Sequence, residues 1–144
     1  MKRSHPLQLV LDKEENNQKD IAQRLEKVAA FIRSEKEQLA QLQDYRDDYF
    51  NKIQNSQQTW PVEMISRYRN FCYQLDSALQ DQQNKINIGD TKLQELRGLL
   101  AKQQHKISVL KDLLEQKHIE QLAIENKFIQ KEMDEFSSRR SYHR

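Results

Sequence analysis

Apolar residues recur at alternating intervals of three and four along the second half of the chain. They are Ile65, Tyr68, Cys72, Leu75, Leu79, Ile86, Leu93, Leu96, Leu100, Ile107, Leu110 and Leu114. This spacing is a heptad seam, the pattern by which one edge of a helix is buried against another helix. It predicts one long helix over about 61–136 that needs a partner helix.

The first half of the chain carries a seam of the same kind. Its positions are Leu7, Leu11, Glu14, Gln18, Ile21, Leu25, Val28, Ile32, Glu35, Leu39, Leu42, Arg46, Tyr49 and Ile53. Ten of these 14 residues are apolar, and Ser4 and Pro6 suit the start of a helix as its cap and a first-turn residue. The pattern predicts helix 1 over about 6–55.

A polar segment that ends in a proline separates the two seams. Residues 55–59 contribute no seam residue, and Trp60 precedes Pro61. A residue before proline is pushed out of the helical region, and a proline inside a helix costs about 3 kcal/mol. We therefore expect a turn over about 56–60, with Pro61 in the first turn of helix 2. The alternative is a parallel dimer of one long helix that runs through Pro61.

Helices joined by a short loop pack antiparallel, and one antiparallel register aligns both seams. The opposed pairs are Ile53–Ile65, Tyr49–Tyr68, Leu42–Leu75, Leu39–Leu79, Glu35–Gln82, Ile32–Ile86, Leu25–Leu93, Ile21–Leu96, Glu14–Gln103 and Leu11–Ile107. Apolar residues meet apolar ones, and polar residues meet polar ones. The expected fold is all-α, a single long antiparallel two-helix coiled-coil hairpin over residues 1–144 with an extended C-terminal helix.

Gly89 lies on the second seam, opposite Val28. A glycine costs about 1 kcal/mol in a helix relative to alanine. Thr91 and Gln94 also have the spacing of a capping box, which would restart a helix after Gly89. Because the seam keeps its phase across Gly89, we expect a continuous helix with a weak point there.

In this register the first residues of helix 1, near Leu7, lie opposite Lys111. The part of helix 2 that follows Lys111 therefore extends beyond helix 1 and has no partner within the hairpin. This extension from about Asp112 onward is nevertheless rich in apolar residues: Leu113, Leu114, Ile119, Leu122, Ile124, Phe128, Ile129, Met133 and Phe136. So much apolar surface on an isolated helix indicates a protein contact, with either a second copy of the chain or a different protein. Residues 137–144 are expected to form a frayed basic tail.

No group of residues has the spacing of a catalytic, cofactor-binding or metal-binding site. The four histidines lack the i, i+4 pairing of metal ligands, and there is no glycine-rich phosphate loop. The chain is 36% hydrophobic and 32% charged with only two Gly and two Pro, a composition typical of long helices. Its net charge of +2 does not require a nucleic-acid partner.

The sequence also predicts where the protein is located and the state of its cysteine. The apolar run Leu7–Leu11 is too short for a signal peptide, and no stretch approaches the length of a membrane span. The expected location is the cytoplasm. Cys72 is the only cysteine and lies on the seam, so we expect a small buried side chain rather than a disulfide.

Aromatic residues flank the seam near the turn. With Leu42 of helix 1 at heptad position d, Tyr45 falls at g. On helix 2 we assign Phe71 to position c, beside the seam. We expect these two rings to form an exposed aromatic patch on one side of the seam, although an aromatic ring can also lie along the neighbouring helix. Exposed aromatic residues are frequent anchors of protein interfaces.

Some spacings are more specific than the heptads. They are Gln38-x3-Leu42-x2-Tyr45-x3-Tyr49, Phe71-x3-Leu75-x2-Ala78, and the closing Gln130-Lys131-Glu132-Met133-Asp134-Glu135-Phe136. In these stretches, and over nearly its whole length, the chain resembles the FliJ family of the bacterial flagellar type III export apparatus. The family's pattern favours histidine where this chain has Gln82, so no role is carried over to that position.

The resemblance implies a non-enzymatic protein without a cofactor that has three kinds of partner. These are the hexameric export ATPase, a membrane-embedded export gate protein and the chaperones of export substrates. The gate-binding residues would be Gln38, Leu42, Tyr45, Tyr49, Phe71, Leu75 and Ala78. The C-terminal extension would bind the ATPase ring through Leu113, Ile119, Leu122, Phe128, Ile129, Met133 and Phe136.

The same resemblance implies a monomer when isolated, located in the cytoplasm at the flagellar base and held at the membrane only through protein partners. Three other hypotheses stay open. The chain would be a structural coiled coil that self-associates through its C-terminal helix, the equivalent stalk of a virulence type III secretion system, or a helical regulator of an enzyme unrelated to secretion.

Overall fold

Two helices make up nearly all of the described chain. The computed structural model describes residues 5–56 and 59–142, and no strand occurs in them. Helix α1 spans Pro6–Ser56, and helix α2 spans Val62–Tyr142. The two helices run antiparallel and pack against each other, so the predicted all-α hairpin with an extended C-terminal helix is confirmed.

Both helices begin at a proline or beside one. The backbone carbonyl of Pro61 accepts hydrogen bonds from the N–H groups of Met64 at 3.0 Å and Ile65 at 3.1 Å. Proline is well suited to this position, because the first turn of a helix does not need its missing N–H. At the start of α1, Nδ1 of His5 accepts a hydrogen bond from the N–H of Leu7 at 3.1 Å. Ser4, the predicted cap, lies outside the described residues, as do residues 57 and 58 of the predicted turn.

Helix α2 continues to Tyr142, so the prediction that it ends at about 136 is wrong. The predicted frayed tail over 137–144 is helical through residue 142, and residues 143 and 144 lie outside the described chain. No glycine or proline follows Gly98 in the sequence, so no helix-breaking residue lies between Phe136 and Tyr142. Arg139 and Arg140 in its last turn also favour the negative end of the helix dipole.

The packing falls into two compact units. One unit combines Met1–Lys19 with Ala101–Arg144, and the other is Asp20–Leu100. The first unit buries Leu11 and Ile107, and the second buries Ile32, Ile53, Leu75, Ile86 and Leu96. Every predicted seam residue of both helices is buried or half-buried. Burial of this apolar edge is the main stabilising term, at about 25 cal/mol per Å² of apolar area.

Each unit contains one polar layer between the helices. Nε2 of Gln82 donates hydrogen bonds to the carboxylate of Glu35 and, at 3.3 Å, to its backbone oxygen. Nε2 of Gln103 donates in the same way to the carboxylate of Glu14 and, at 2.9 Å, to its backbone oxygen. Both pairs match the predicted register. A buried amide without these partners would be costly, so each layer helps to fix how the helices are aligned.

Helix α2 is continuous through Gly89, as predicted. The hydroxyl of Thr91 donates to the backbone oxygen of Asn87 at 3.1 Å, within the same helix, and does not cap a new one. Gly89 is buried, and a Cβ atom placed there would lie 2.9 Å from Cγ1 of Ile32. The close approach of α1 therefore accounts for a glycine at this position.

The two glycines provide a matched pair of substitutions. Gly89→Ala and Gly98→Ala each gain about 1 kcal/mol of helix propensity. Nothing lies within 4 Å of a Cβ at Gly98, so that variant should be stabilised by the full amount. At Gly89 the methyl group overlaps Ile32, and overpacking costs roughly 1–3 kcal/mol. Urea unfolding followed by circular dichroism should show no gain or a loss there, and equal stabilisation of both variants would contradict the close packing at Gly89.

Glu14 makes the stability of its unit depend on pH. The hydrogen bond from Gln103 is the main reason that the pKa of the Glu14 carboxyl lies below its ordinary value of 4.5, with smaller contributions from Asn17 and Lys106. A carboxyl whose pKa is lowered by folding stabilises the folded state above its unfolded pKa, and this contribution is lost as the pH falls through the folded pKa.

Glu14→Gln should therefore be less stable than the wild type at neutral pH, and the difference should shrink below pH 4.5. Urea unfolding at a series of pH values measures it. A difference between the two proteins that stays constant from neutral to acidic pH would show that the Glu14 carboxylate does not supply this stability.

Candidate functional site

Five aromatic rings form a connected cluster near the turn, which we call the aromatic cluster. Ring centroids are 4.6 Å apart for Trp60–Tyr68, 5.7 Å for Tyr49–Tyr68, 5.0 Å for Tyr49–Phe71, 4.8 Å for Tyr45–Tyr49 and 6.3 Å for Tyr45–Phe71. The expected contacts of Tyr49 with Tyr68 and of Tyr45 with Phe71 are both present. The sequence had identified Trp60 only as the residue before a proline, and its ring is one end of the cluster.

The other end of the aromatic cluster faces outward. Tyr45 is 47% exposed, and its hydroxyl donates a hydrogen bond to the hydroxyl of Tyr49 at 3.1 Å. An open hollow on the surface is lined by Tyr49, Arg67, Tyr68 and Phe71. The cluster thus combines rings that hold the helices together with a ring, Tyr45, that a partner can reach.

Phe71 lies at heptad position g, so its predicted assignment to c is wrong. The buried and half-buried residues Cys72, Leu75 and Leu79 follow each other at steps of three and then four. A step of three leads from a to d and a step of four from d to a, which places Cys72 at a and Leu75 at d. In an antiparallel pair the g edges face each other, and for this reason Phe71 reaches Tyr45 and is half-buried rather than exposed.

The seven residues of the predicted gate-binding stripe are not one exposed surface. Leu75 is only 7% exposed, and four more are half-buried: Leu42, Tyr49, Phe71 and Ala78. Gln38 and Tyr45 are exposed. The buried members pack the two helices together, so a partner protein can touch the stripe chiefly through Tyr45 and Gln38.

An ion pair between the helices flanks the other side of the seam. Nε of Arg46 donates to the carboxylate of Asp76, and this carboxylate raises the pKa of Arg46 above its ordinary value. The guanidinium carbon also lies 5.8 Å from the ring centroid of Phe50. The sequence identified Arg46 as a polar seam residue but not its partner, because Asp76 lies beside the seam.

The C-terminal part of α2 has no partner helix among the described residues. Every described side chain from residue 115 onward whose burial is known is exposed. The seven residues predicted to bind the ATPase ring are 40–68% exposed. We call them the ring surface: Leu113, Ile119, Leu122, Phe128, Ile129, Met133 and Phe136.

Most of the ring surface follows a heptad of its own. Extending the seam beyond Leu114 at the same spacing leads to residues 117, 121, 124 and 128. A second stripe has the same spacing but lies two residues before these positions, and we call it the displaced stripe. Its members are Ile119, Leu122, Asn126, Ile129, Met133 and Phe136. A shift of two residues moves an apolar stripe to a different side of a helix. With Ile124 and Phe128 still in the phase of the seam, this part of α2 is apolar on more than one side.

The described residues contain no arrangement for metal chemistry or membrane crossing. Within 5–56 and 59–142, no group of three or more His, Cys, Asp or Glu side chains is placed to hold a metal ion. In the same ranges, neither helix is apolar enough over a sufficient length to cross a membrane. Cys72 is a free, half-buried thiol, and His143 lies outside the described residues.

Comparison with known proteins gives one match. The model of the family described as "Flagellar FliJ protein" matches residues 2–144. No curated protein and no solved structure gives a match. The family match covers both helices, the aromatic cluster and the ring surface. The chain therefore belongs to the flagellar FliJ protein family and is a component related to flagellar protein export.

Proposed function

We propose that this chain is a non-enzymatic coupling factor of flagellar protein export. In this proposal the ring surface binds the hexameric export ATPase, and the exposed face of the aromatic cluster binds the membrane-embedded export gate. The chain also escorts the chaperones of export substrates. It works in the cytoplasm and meets the membrane only through the gate protein. The observation that carries the proposal is the large apolar surface of α2 that no part of the described chain covers.

The distribution of apolar residues favours a partner that surrounds the helix. A second helix packs along one stripe. Phe128 lies in the phase of the seam, whereas Met133 and Phe136 lie on the displaced stripe. All three are more than 60% exposed, so covering them requires contacts on several sides of α2. The central opening of a hexameric ring offers such contacts.

The exposed face of the aromatic cluster suits a smaller contact. Tyr45 presents a large ring whose position is held by Tyr49 and Phe71, so little conformational freedom is lost when a partner binds it. Tyrosine is also among the residues that most often carry binding energy at interfaces. This supports Tyr45 as the anchor for the gate protein, with Gln38 beside it.

A second candidate is a structural coiled coil that dimerises through the displaced stripe. Asn126 favours it, because an asparagine among apolar heptad positions is typical of parallel dimers. The mass of the isolated chain in solution separates the two candidates. A coupling factor should be mainly monomeric at low micromolar concentration, and a structural coiled coil should be dimeric.

Charges placed on the ring surface should weaken ATPase binding. Ile129→Glu with Met133→Glu is expected to weaken binding to the export ATPase hexamer at least about tenfold, because burying each side chain contributes roughly 1.5–3 kcal/mol. Calorimetry with the full chain measures this affinity. Gln116→Glu with Gln130→Glu adds the same charge to exposed polar positions outside both apolar stripes of the same helix and should bind nearly normally. Equal loss in both double variants, or in neither, would contradict the assignment.

Tyr45→Ala should reduce gate binding without unfolding the chain. Its ring is about half exposed, so we expect roughly tenfold weaker binding to the cytoplasmic part of the gate protein, reduced motility and unchanged helicity. Tyr73→Ala is the control, since Tyr73 is 70% exposed and lies outside the aromatic cluster. If Tyr45→Ala unfolds far earlier than the wild type but binds normally when folded, the ring serves packing alone.

A further inference from the structure

A second apolar hollow lies on the surface of the unit Asp20–Leu100. It is lined by Val28, Phe31, Lys85, Ile88, Gly89 and Lys92, and we call it the lysine-flanked hollow. Phe31 is 47% exposed and Ile88 is 70% exposed. Ile88 therefore adds little to the packing of the two helices, and an isoleucine this exposed beside an exposed phenylalanine forms an apolar patch that water covers unfavourably.

Gly89 shapes the floor of this hollow. It is buried between the exposed side chains, and a Cβ placed on it would lie 4.0 Å from Cδ1 of Phe31 as well as 2.9 Å from Cγ1 of Ile32. Since Gly89 has no side chain, the backbone of α2 forms the floor, and Phe31 and Ile88 form the rims. This leaves space for side chains from outside the chain.

Positive side chains without an ion-pair partner in the described chain lie along the hollow. Lys85 and Lys92 precede and follow Ile88 on α2, at distances of three and four residues, so they lie on the same side of the helix. On α1, Lys27 and Arg24 lie four and seven residues before Phe31 and share its face. None of these four side chains forms an ion pair with a carboxylate of the described chain.

The hollow is separate from the aromatic cluster, although both lie on one flank of the hairpin. Phe31 lies two heptads before Tyr45, and Lys85 lies two heptads after Phe71. All four residues are therefore at position g. Gln38 and Ala78 lie between the two sites. The same flank thus presents an aromatic contact and, two heptads further on, an apolar contact with positive edges.

We propose that the lysine-flanked hollow binds an acidic amphipathic helix of a partner protein. Apolar side chains of that helix fill the space between Phe31 and Ile88, and Asp or Glu residues beside them pair with Lys85 and Lys92. The exposed isoleucine on the rim favours a protein over a nucleic acid, since a phosphate backbone would leave Ile88 against charged groups. Complementary charge on the partner gives specificity and faster association.

A helical peptide with leucine at i, i+4 and i+7 and glutamate beside each leucine is the probe for this site. Fluorescence anisotropy with the full chain should show binding that weakens as salt is added, because exposed ion pairs are screened. Ile88→Gln should weaken it at least about fivefold, and Lys85→Glu with Lys92→Glu at least about tenfold, by loss of apolar burial and of charge pairing. Both changes are at the surface and should leave the unfolding transition unchanged.

Matched controls use exposed residues elsewhere in the chain. Val62→Gln removes another exposed apolar residue, since Val62 is 83% exposed. Lys127→Glu with Lys131→Glu makes the same change of charge on the C-terminal part of α2. Neither should alter peptide binding. Binding that is equally strong with lysine in place of glutamate in the peptide, or that is unaffected by changes at Ile88, Lys85 and Lys92, would overturn the proposal.

Two further outcomes would also overturn it. One is that the acidic peptide does not bind at millimolar concentration, and the other is that duplex DNA binds through Ile88, Lys85 and Lys92 while the peptide does not. The variant Ile88→Gln should retain normal binding to the export ATPase hexamer and to the gate protein. If the peptide does not bind at the hollow, the proposed coupling function is not affected. If the chain does not bind the ATPase or the gate protein, peptide binding still tests the hollow independently.

Discussion

The hydrogen bonds of two glutamines between the helices, Gln82 and Gln103, fix the alignment on which the rest of the structure depends. An apolar layer of a heptad seam packs nearly as well against the next layer as against its own, so leucines alone specify register weakly. Gln82 differs, because its amide donates to Glu35. Moved by one heptad, it would face Val28 or Leu42 and lose that partner, which costs about 1–3 kcal/mol. Gln103 and Glu14 impose the same restriction within their own unit.

The positions of the candidate sites follow from this alignment together with the helix lengths. Helix α2 has 81 residues and α1 has 51. The turn joins them at one end, so the surplus of α2 must lie at its C-terminal end. In the unit Asp20–Leu100, the same alignment brings Tyr45 beside Phe71 and Ile32 over Gly89. The alignment of the two helices therefore determines which residues form the aromatic cluster and the lysine-flanked hollow.

The two helices, the turn at Pro61 and the pairing of Gln82 with Glu35 could all be predicted from the sequence. Apolar periodicity predicts the helices, a proline interrupts a helix, and polar residues on an apolar seam need each other as partners. The sequence was insufficient where the outcome depends on both helices at once. The lysine-flanked hollow was missed because Phe31 and Ile88 each look like an ordinary surface residue until the g edge of α1 is set beside the flank of α2 on which Ile88 lies between Lys85 and Lys92. Phe71 is a different case. Its assignment to c did not follow the spacing of its own helix, whose steps of three and four from Cys72 to Leu75 and Leu79 place Leu75 at d and Phe71 at g.

The end of α2 was mispredicted for a different reason. The basic residues after Phe136 suggested a frayed tail, but a helix propagates at little cost once formed and stops where a residue breaks it. No such residue follows Gly98. Neither the partners nor their affinities could be predicted, because those properties also depend on surfaces of other proteins.

A two-helix coiled coil has a limited capacity to bury side chains, and this gives its exposed apolar residues their meaning. Each helix can cover only the edge that faces its partner, so residues such as Ile88 and Met133 cannot add to the stability of the hairpin. They lower solubility instead. Both are accompanied by nearby apolar residues, Phe31 for the first and Phe136 for the second, and such grouping is what a protein contact requires. The difference in charge around them then separates the two surfaces. Ile88 lies between Lys85 and Lys92, whereas the hollow beside Met133 is lined by Glu132, Glu135 and Arg139. An acidic partner segment would therefore be attracted to the first surface more than to the second.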